Sequence, residues 1–257
     1  MIHILANPGD YNASIVSDLL GYPIIHSRDE IPPNANKVIN FGYANEIKDG
    51  KLLWTNKAIT PIINTPSIIG VINNKEYISN QILSHTAGKA IPFVTIASAL
   101  QHIKKGHKDG IVCYNSSYKA VAKVNTVEEL KKLDHTNTTN YSLFIKGKME
   151  YQVLFLGGCI KAIIPLIKRK NTISNPIRTE ENGYLYKPGA LKISKLMLSK
   201  ANALLGSINN ILNMEGGVFN ILKSQDNTLY LVNIKSYGGV DKSLLPVLIK
   251  SFAKGVY

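Results

Sequence analysis

Cysteine is nearly absent from this 257-residue chain: Cys113 and Cys159 are the only two. That is too few for a disulfide framework or a cysteine-rich zinc site. The six histidines are scattered and form no HExxH pair, so the helix-borne zinc signature is missing. His85, His102 and His107 have no acid at triad-like or ligand-like spacing and read as ordinary, partly exposed histidines. No apolar run reaches bilayer length, and MIHILANPGD has no basic segment leading into one. No membrane association is therefore expected, and a cytoplasmic location is. Repeats, low-complexity tails and the patterns of a helix-turn-helix, zinc finger or basic zipper are also missing, which argues against base-specific groove reading.

Acids are scarce as well. Seventeen Asp and Glu stand against 30 Lys and Arg, a formal charge of +13. Such an excess favours a polyanionic partner, because neutralising phosphates releases counterions. Hydrophobic residues at 45% and charged residues at 18% belong to a folded chain. Its length can bury a core as one large domain or as two to three subdomains. The wealth of Asn, Ile and Lys points to an AT-rich genome, such as a virus, in which case the location would be the host cytoplasm.

The first stretch alternates strand and helix signals. MIHILA reads as a buried strand, YNASIVSDLLG as a short helix closed by glycine, and KVINFGY and PIINT as strands. Such alternation predicts a small parallel sheet up to residue 72. NKEYISNQILSHTAG reads as a helix with Ile78, Ile82 and Leu83 on one side. IPFVTI, SALQHIKKG, GIVCYN, KAVAKV and TVEELKKL follow as strand, helix, strand, strand and helix, the last with Thr126 and Glu129 at capping-box spacing. YSLFIKG, EYQVLFLGG and CIKAIIPLIKRK read as consecutive antiparallel strands with Gly-Gly as a hairpin. A helix over LKISKLMLSKANALLG, a hairpin of GGVFNILKS and TLYLVNIKS, and a helix over SLLPVLIKSFAK complete the chain, with Asp241 near a helix N-cap.

The phrases Asn64-Thr65-Pro66, Asn74-Lys75 and Pro92 to Thr95, the hairpin EYQVLFLGGCIKAIIPLIKR and the terminal hairpin GGVFNILKSQDNTLYLVNIKSYGG resemble the ATP-grasp superfamily, especially its amino-acid ligase branch. The likeness spans most of residues 60 to 240. It implies an α/β (α+β) fold: a small N-terminal βα domain at residues 1–72, a small α+β subdomain at 73–136, and a large α+β subdomain with an antiparallel sheet at 137–257. It also implies where chemistry would sit, and there the residues depart from the family's pattern. The phosphate-contacting lysine falls at Tyr114, the glycine-rich loop near SSYKAV, the adenine hinge at Ser142 and Leu143, and the central arginine at Gln152. The first metal carboxylate falls at Asn220, and the Glu-x-Asn pair at Asn233 and Lys235. A protonated lysine cannot coordinate Mg²⁺ and repels it. A non-catalytic scaffold with no cofactor and no metal is therefore expected.

Positive signals lie in the basic residues. Lys119 and Lys123 lie on one candidate strand at even spacing beside Tyr118, Lys168, Arg169 and Lys170 end another, and Arg178 and Lys187 accompany Tyr184 and Tyr186. With Lys235 they predict a basic cleft whose cations track phosphates and whose tyrosines stack on bases, a design suited to single-stranded DNA. An RNA polymerase or a replication protein is a further expected partner. The competing readings are a divergent ATP-dependent carboxylate–amine ligase using Lys75, Glu150 and Asp226 or Asp241 in displaced roles, and a scaffold with a basic protein-binding face.

Overall fold

The structure is a computed structural model that describes residues 1–27, 30–44, 47–48, 51–52, 60–85, 90–107, 109–116, 119–133, 136, 138, 140–169, 178 and 182–257, with backbone alone at 47–48, 51–52 and 85. Its N-terminal unit comprises β1 (Ile2–Leu5), α1 (Tyr11–Leu20), β2 (Ile24–Ile25), β3 (Lys37–Asn40), the short ribbon β4 (Ile47–Lys48) and β5 (Lys51–Leu52), and β6 (Ile62–Ile63). β2, β1, β3 and β6 lie side by side in one parallel sheet. Local chemistry sets α1: the Asp10 carboxylate accepts from Ala13 N at its start, and Gly21 ends it at φ 66°, a conformation that glycine adopts without a Cβ penalty.

Two helices follow, α2 (Pro66–Asn73) and α3 (Lys75–His85), with a break at Asn74, whose Oδ1 accepts from Tyr77 N at 3.0 Å. Lys75 is thereby the first residue of α3. Ile78 and Ile82 are buried as their spacing requires, whereas Leu83 is 38% exposed and corrects its expected place in the apolar stripe. Next come β7 (Phe93–Val94), α4 (Ile96–Lys104), β8 (Ile111–Tyr114), β9 (Ala120–Val124), α5 (Val127–Lys131) and β10 (Asn140–Leu143). Their antiparallel sheet runs β7-β10-β8-β9, and Ala99, Ile103 and Leu130 of the two helices pack on Ile111, Cys113 and Val124. The Thr126–Glu129 capping box forms as its spacing predicts.

The large sheet holds β11 (Gly147–Leu156), β12 (Cys159–Lys168), β13 (Tyr184–Tyr186), β14 (Gly216–Ser224) and β15 (Leu229–Lys235), in the order β13-β12-β11-β14-β15. Gly157 and Gly158, at φ 54° and 70°, make the β11–β12 turn. One expectation fails: β10 does not pair with β11 but joins β8 and β7 in the small sheet. The chain crosses between sheets at 144–146, where Phe144 N is held by Gly110 O at 3.1 Å.

The alternation of β11 divides the molecule. Tyr151, Val153 and Phe155 face α6 (Lys195–Leu212) and its Ala201, Leu205 and Ile208. Leu154 and Leu156 face the parallel sheet and α7 (Leu245–Ala253), packing with Ile4, Ile39, Phe41, Leu248 and Phe252. Asn12 Nδ2 ties α1 to the carbonyls of Gly238 and Val240 at 3.0 and 2.8 Å, and Asn64 Nδ2 reaches Gly216 O at 2.6 Å. Among the described residues no helix is long and apolar enough to cross a membrane.

Candidate functional site

Continuing the second row of β11 backwards from Leu156 and Leu154 brings Gln152 and Glu150 onto the same face by the two-residue period. Here the apolar cover stops and a cleft of about 1160 Å³ opens between the small and large sheets. Gln152 pairs in register with Asn220 on β14, and Asn220 with Asn233 on β15, so a polar row crosses three strands. Gln152 Nε2 donates to Asn220 Oδ1 at 3.2 Å, and its Oε1 accepts from Asp241 N at 2.8 Å. Asn220 Nδ2 donates to the Tyr186 hydroxyl at 2.8 Å and reaches Glu150 at 3.5 Å. Asp241 caps the following 3₁₀ turn through Ser243 N at 2.9 Å.

Charges on this floor are coupled. Burial pushes the Glu150 carboxyl up to about 7, opposed by Arg178, by hydrogen bonds from Asn220 and Tyr186, and by Lys235. Burial lowers the Lys75 ammonium to about 8, helped by Lys235 and opposed by Glu150. Lys235 is lowered in the same direction by desolvation, with Glu150 opposing. Its side chain keeps contact with water, yet the surrounding groups strip solvent from its ammonium. Burial raises the Tyr186 hydroxyl well above its usual range, and the Glu150 charge adds to this. Gly239 makes room for Lys235, since a Cβ there would lie 2.5 Å from its Cβ and Cδ.

The opposite wall belongs to the small sheet. Lys119 and Lys123 line it, and Lys123 Nζ sits 4.1 Å from the Phe144 ring centroid. The Tyr114 hydroxyl and Ser142 Oγ are 3.1 Å apart across β8 and β10, and the Tyr114 ring packs against Phe93 at 5.5 Å. Cys113 lies beneath, its thiol pushed up to about 11 by burial, which suits packing rather than nucleophilic work.

The cleft gathers Lys119, Lys123, Arg178, Tyr184 and Tyr186 of the sequence-predicted set. Lys168, Arg169 and Lys187 are exposed and do not line it; the first two lie beyond Leu166, the last residue of β12 to face it. Lys235 is not a lining residue either, although its charge couples to Glu150 and Lys75, which are. Tyr118 and Lys170 lie outside the described residues. Tyr184 is 6% exposed, and the Tyr186 hydroxyl is committed to Asn220, so both rings serve the floor's packing. Of the residues weighed for ligase chemistry, Lys75, Glu150 and Asp241 line the cleft. Asp226 sits in the β14–β15 turn, accepting from Thr228 and Ser224. Lys146, Lys242 and Asp109 also line the cleft and escaped sequence reasoning, for nothing local separates them from other surface charges.

No protein-family model and no curated protein sequence matches the chain. Solved structures do. The chain is similar to the D-alanine–D-alanine ligase of Bacillus anthracis complexed with ATP, at TM-score 0.68 and 13% identity over 99% of this chain and 91% of that one. It is also similar to the ATP-grasp ligase PsnB complexed with a minimal precursor, at TM-score 0.66 and 8% identity over 98% of each chain. The macrocyclase MdnC of Microcystis aeruginosa MRC bound with precursor peptide MdnA gives TM-score 0.62 and 10% identity over 99% and 100%. The chain has the ATP-grasp fold, as its sequence resemblance implies.

That fold implies Mg²⁺ with a nucleotide, and the donor set does not fit the ion. Mg²⁺ requires an octahedron of oxygens. Asn220 Oδ1 already accepts from Gln152, its nitrogen points at Tyr186 and Glu150, and Lys235 brings a positive charge. Asn233 Oδ1 is a buried acceptor without a partner, a single neutral oxygen in the company of ammonium groups. Among the described residues no group of three His, Cys, Asp or Glu could hold a metal ion.

Proposed function

We propose that this protein uses an ATP-grasp scaffold to bind a polyanion, single-stranded nucleic acid, in the cleft between its two antiparallel sheets, without metal-assisted ligation. The observation that carries this reading is the lining itself: among the described residues, Lys75, Lys119, Lys123, Lys146, Arg178 and Lys242 stand against Asp109, Glu150 and Asp241. Cations on a groove wall follow a phosphate chain, and Phe144 offers an apolar ring between them. At the metal-ligand positions of the resembled family Asn220 is held by Gln152, Lys235 is cationic and Asn233 offers a single neutral oxygen, which supports a reading without metal-assisted phosphoryl transfer.

The test is binding of labelled single-stranded DNA, duplex DNA, RNA and ATP, with and without Mg²⁺, across a salt series. Single strands should bind best, with log K falling linearly in log salt at a slope of about −3.5 for five neutralised phosphates. A flat salt response would remove the nucleic-acid reading and favour a protein partner. The second reading, a divergent carboxylate–amine ligase, draws on the similarity to ligases over nearly the whole chain and on Lys75, Glu150 and Asp241 meeting in one cleft. Saturable, Mg²⁺-dependent ATP binding in the micromolar range would establish it in place of the first.

A further inference from the structure

The tyrosines that line the cleft are already engaged: Tyr184 is buried, the Tyr186 hydroxyl is bonded to Asn220, and the Tyr114 ring packs on Phe93. Tyr11, the first residue of α1, is different. It is 58% exposed, and Lys242 Nζ lies 4.9 Å from its ring centroid. Lys242 lines the cleft together with Asn12, the residue after Tyr11, so the pair stands where the cleft meets α1. Both partners are carried by pinned backbone. Asn12 Nδ2 donates to the carbonyls of Gly238 and Val240, and Gly238 N donates to Phe41 O at 2.7 Å. A Cβ at Gly238 would lie 2.6 Å from Asp10 Oδ2 and from Phe41 O, so glycine is what lets the start of α1 sit this close. Beside Lys242, Asp241 N donates to Gln152 Oε1 at 2.8 Å and the Asp241 carboxylate accepts from Ser243 N at 2.9 Å. The same pairing of lysine with ring recurs across the cleft, in Lys123 and Phe144.

We infer that Tyr11, backed by Lys242, is a stacking station for an unpaired nucleobase at the α1 edge of the cleft, and that it selects single strands over duplex. The inference rests on the nucleic-acid reading of the cleft and names what sets its strand preference. A ring more than half exposed keeps apolar area in water, and a base laid on it removes that area from solvent. Every base has a π-face, so the station tolerates any sequence. Lys242 acts twice: its cation–π contact steadies the ring from one side, and its ammonium answers the phosphate next to the stacked base. The pinned backbone on either side of the pair means that little freedom is lost when a base arrives. A duplex has no free base face to offer, since its bases stack on one another, and freeing one costs unstacking and unpairing.

Titrations with an oligothymidylate strand, an abasic strand of the same length and a duplex test this. Tyr11→Leu should bind the thymidylate strand about tenfold more weakly than the native protein, the loss of one stacked base, and should bind the abasic strand and the duplex as the native protein does. Tyr11→Phe keeps the ring and should bind all three like the native protein. Tyr11→Trp, with its larger ring, should gain on the thymidylate strand alone. Lys242→Met should weaken both single strands and make the salt slope shallower by about 0.7. Tyr77→Leu, a change at another exposed tyrosine that does not line the cleft, should leave binding unchanged, and melting curves verify that each variant is folded. Native-like thymidylate binding by Tyr11→Leu, or an equal loss on the abasic strand, would overturn the station and keep the groove. Failure of the native protein to bind any single strand sinks the groove, and the station with it.

Discussion

The two walls of the cleft use the same residue types to opposite ends. On the small-sheet wall Lys119 is exposed, and Lys123 lies against the Phe144 ring with access to solvent. At the large-sheet floor Lys75 and Glu150 are half-buried and Lys235 keeps contact with water, yet loss of hydration is the first cause of every shift among them. In water a lysine's interactions with its neighbours are screened, while at a partly desolvated floor each charge shifts the protonation of the next. A cation's place relative to solvent therefore decides whether it acts as an independent anchor or as part of a proton-linked unit.

The largest expected effect lies at the centre of the floor. Asn220→Leu strips partners from Gln152, Tyr186 and Glu150 at once, and leaving buried polar groups unpaired should cost roughly 2–4 kcal/mol in chemical denaturation. Lys123→Met on the opposite wall should cost under about 0.5 kcal/mol. Equal costs would show that the two walls do not differ.

Glu150→Gln comes next and carries a pH signature. The folded carboxyl holds its proton up to about 7 against an ordinary 4.5, so the folded state binds more protons in that window. Native stability at this group therefore falls as pH rises through the window, and the full cost is present above it. The amide has no such cost and should stabilise the protein by roughly 1–3 kcal/mol at pH 8, with no gain near pH 4.5. Thermal melts of both proteins at the two pH values check the sign, and a pH-independent difference would contradict the desolvated carboxylate.

Smaller still is the effect of Lys119→Met with Lys123→Met on single-strand binding. Two lost phosphate contacts should make the salt slope shallower by about 1.4, with the fold unchanged. An undiminished slope would move the anchors off this wall. Smallest is Lys168→Met with Lys187→Met, outside the cleft, where single-strand affinity should change by less than about twofold, within the range of exposed charges. A larger loss, read by the same titration, would extend the binding surface along β12 and past its edge.

Much of the fold was legible because its determinants are local. Asp10 and Gly21 bound α1, Thr126 and Glu129 start α5, and Gly157-Gly158 turns β11 into β12. The polar pair Glu150 and Gln152 in GKMEYQVLFL shares the face of Leu154 and Leu156 by alternation, yet only packing made Glu150 half-buried and Gln152 buried. β10 was misassigned because alternation gives a strand its two faces without giving it a neighbour, and its partners Ile111 to Tyr114 lie about thirty residues earlier.

By itself, then, the sequence determined the elements, their order, the ATP-grasp resemblance and the surplus of positive charge, since these rest on near-neighbour chemistry and composition. Tertiary structure alone decided which cations share a cleft: Lys146 and Lys242 inside, Lys168, Arg169 and Lys187 outside. It also decided that the charges of Lys75, Arg178 and Lys235, far apart along the chain, would act on one carboxylate, Glu150. The physical reason is that a charge's behaviour depends on the dielectric around it and on the charges within a few ångströms, and neither exists until the sheets have packed.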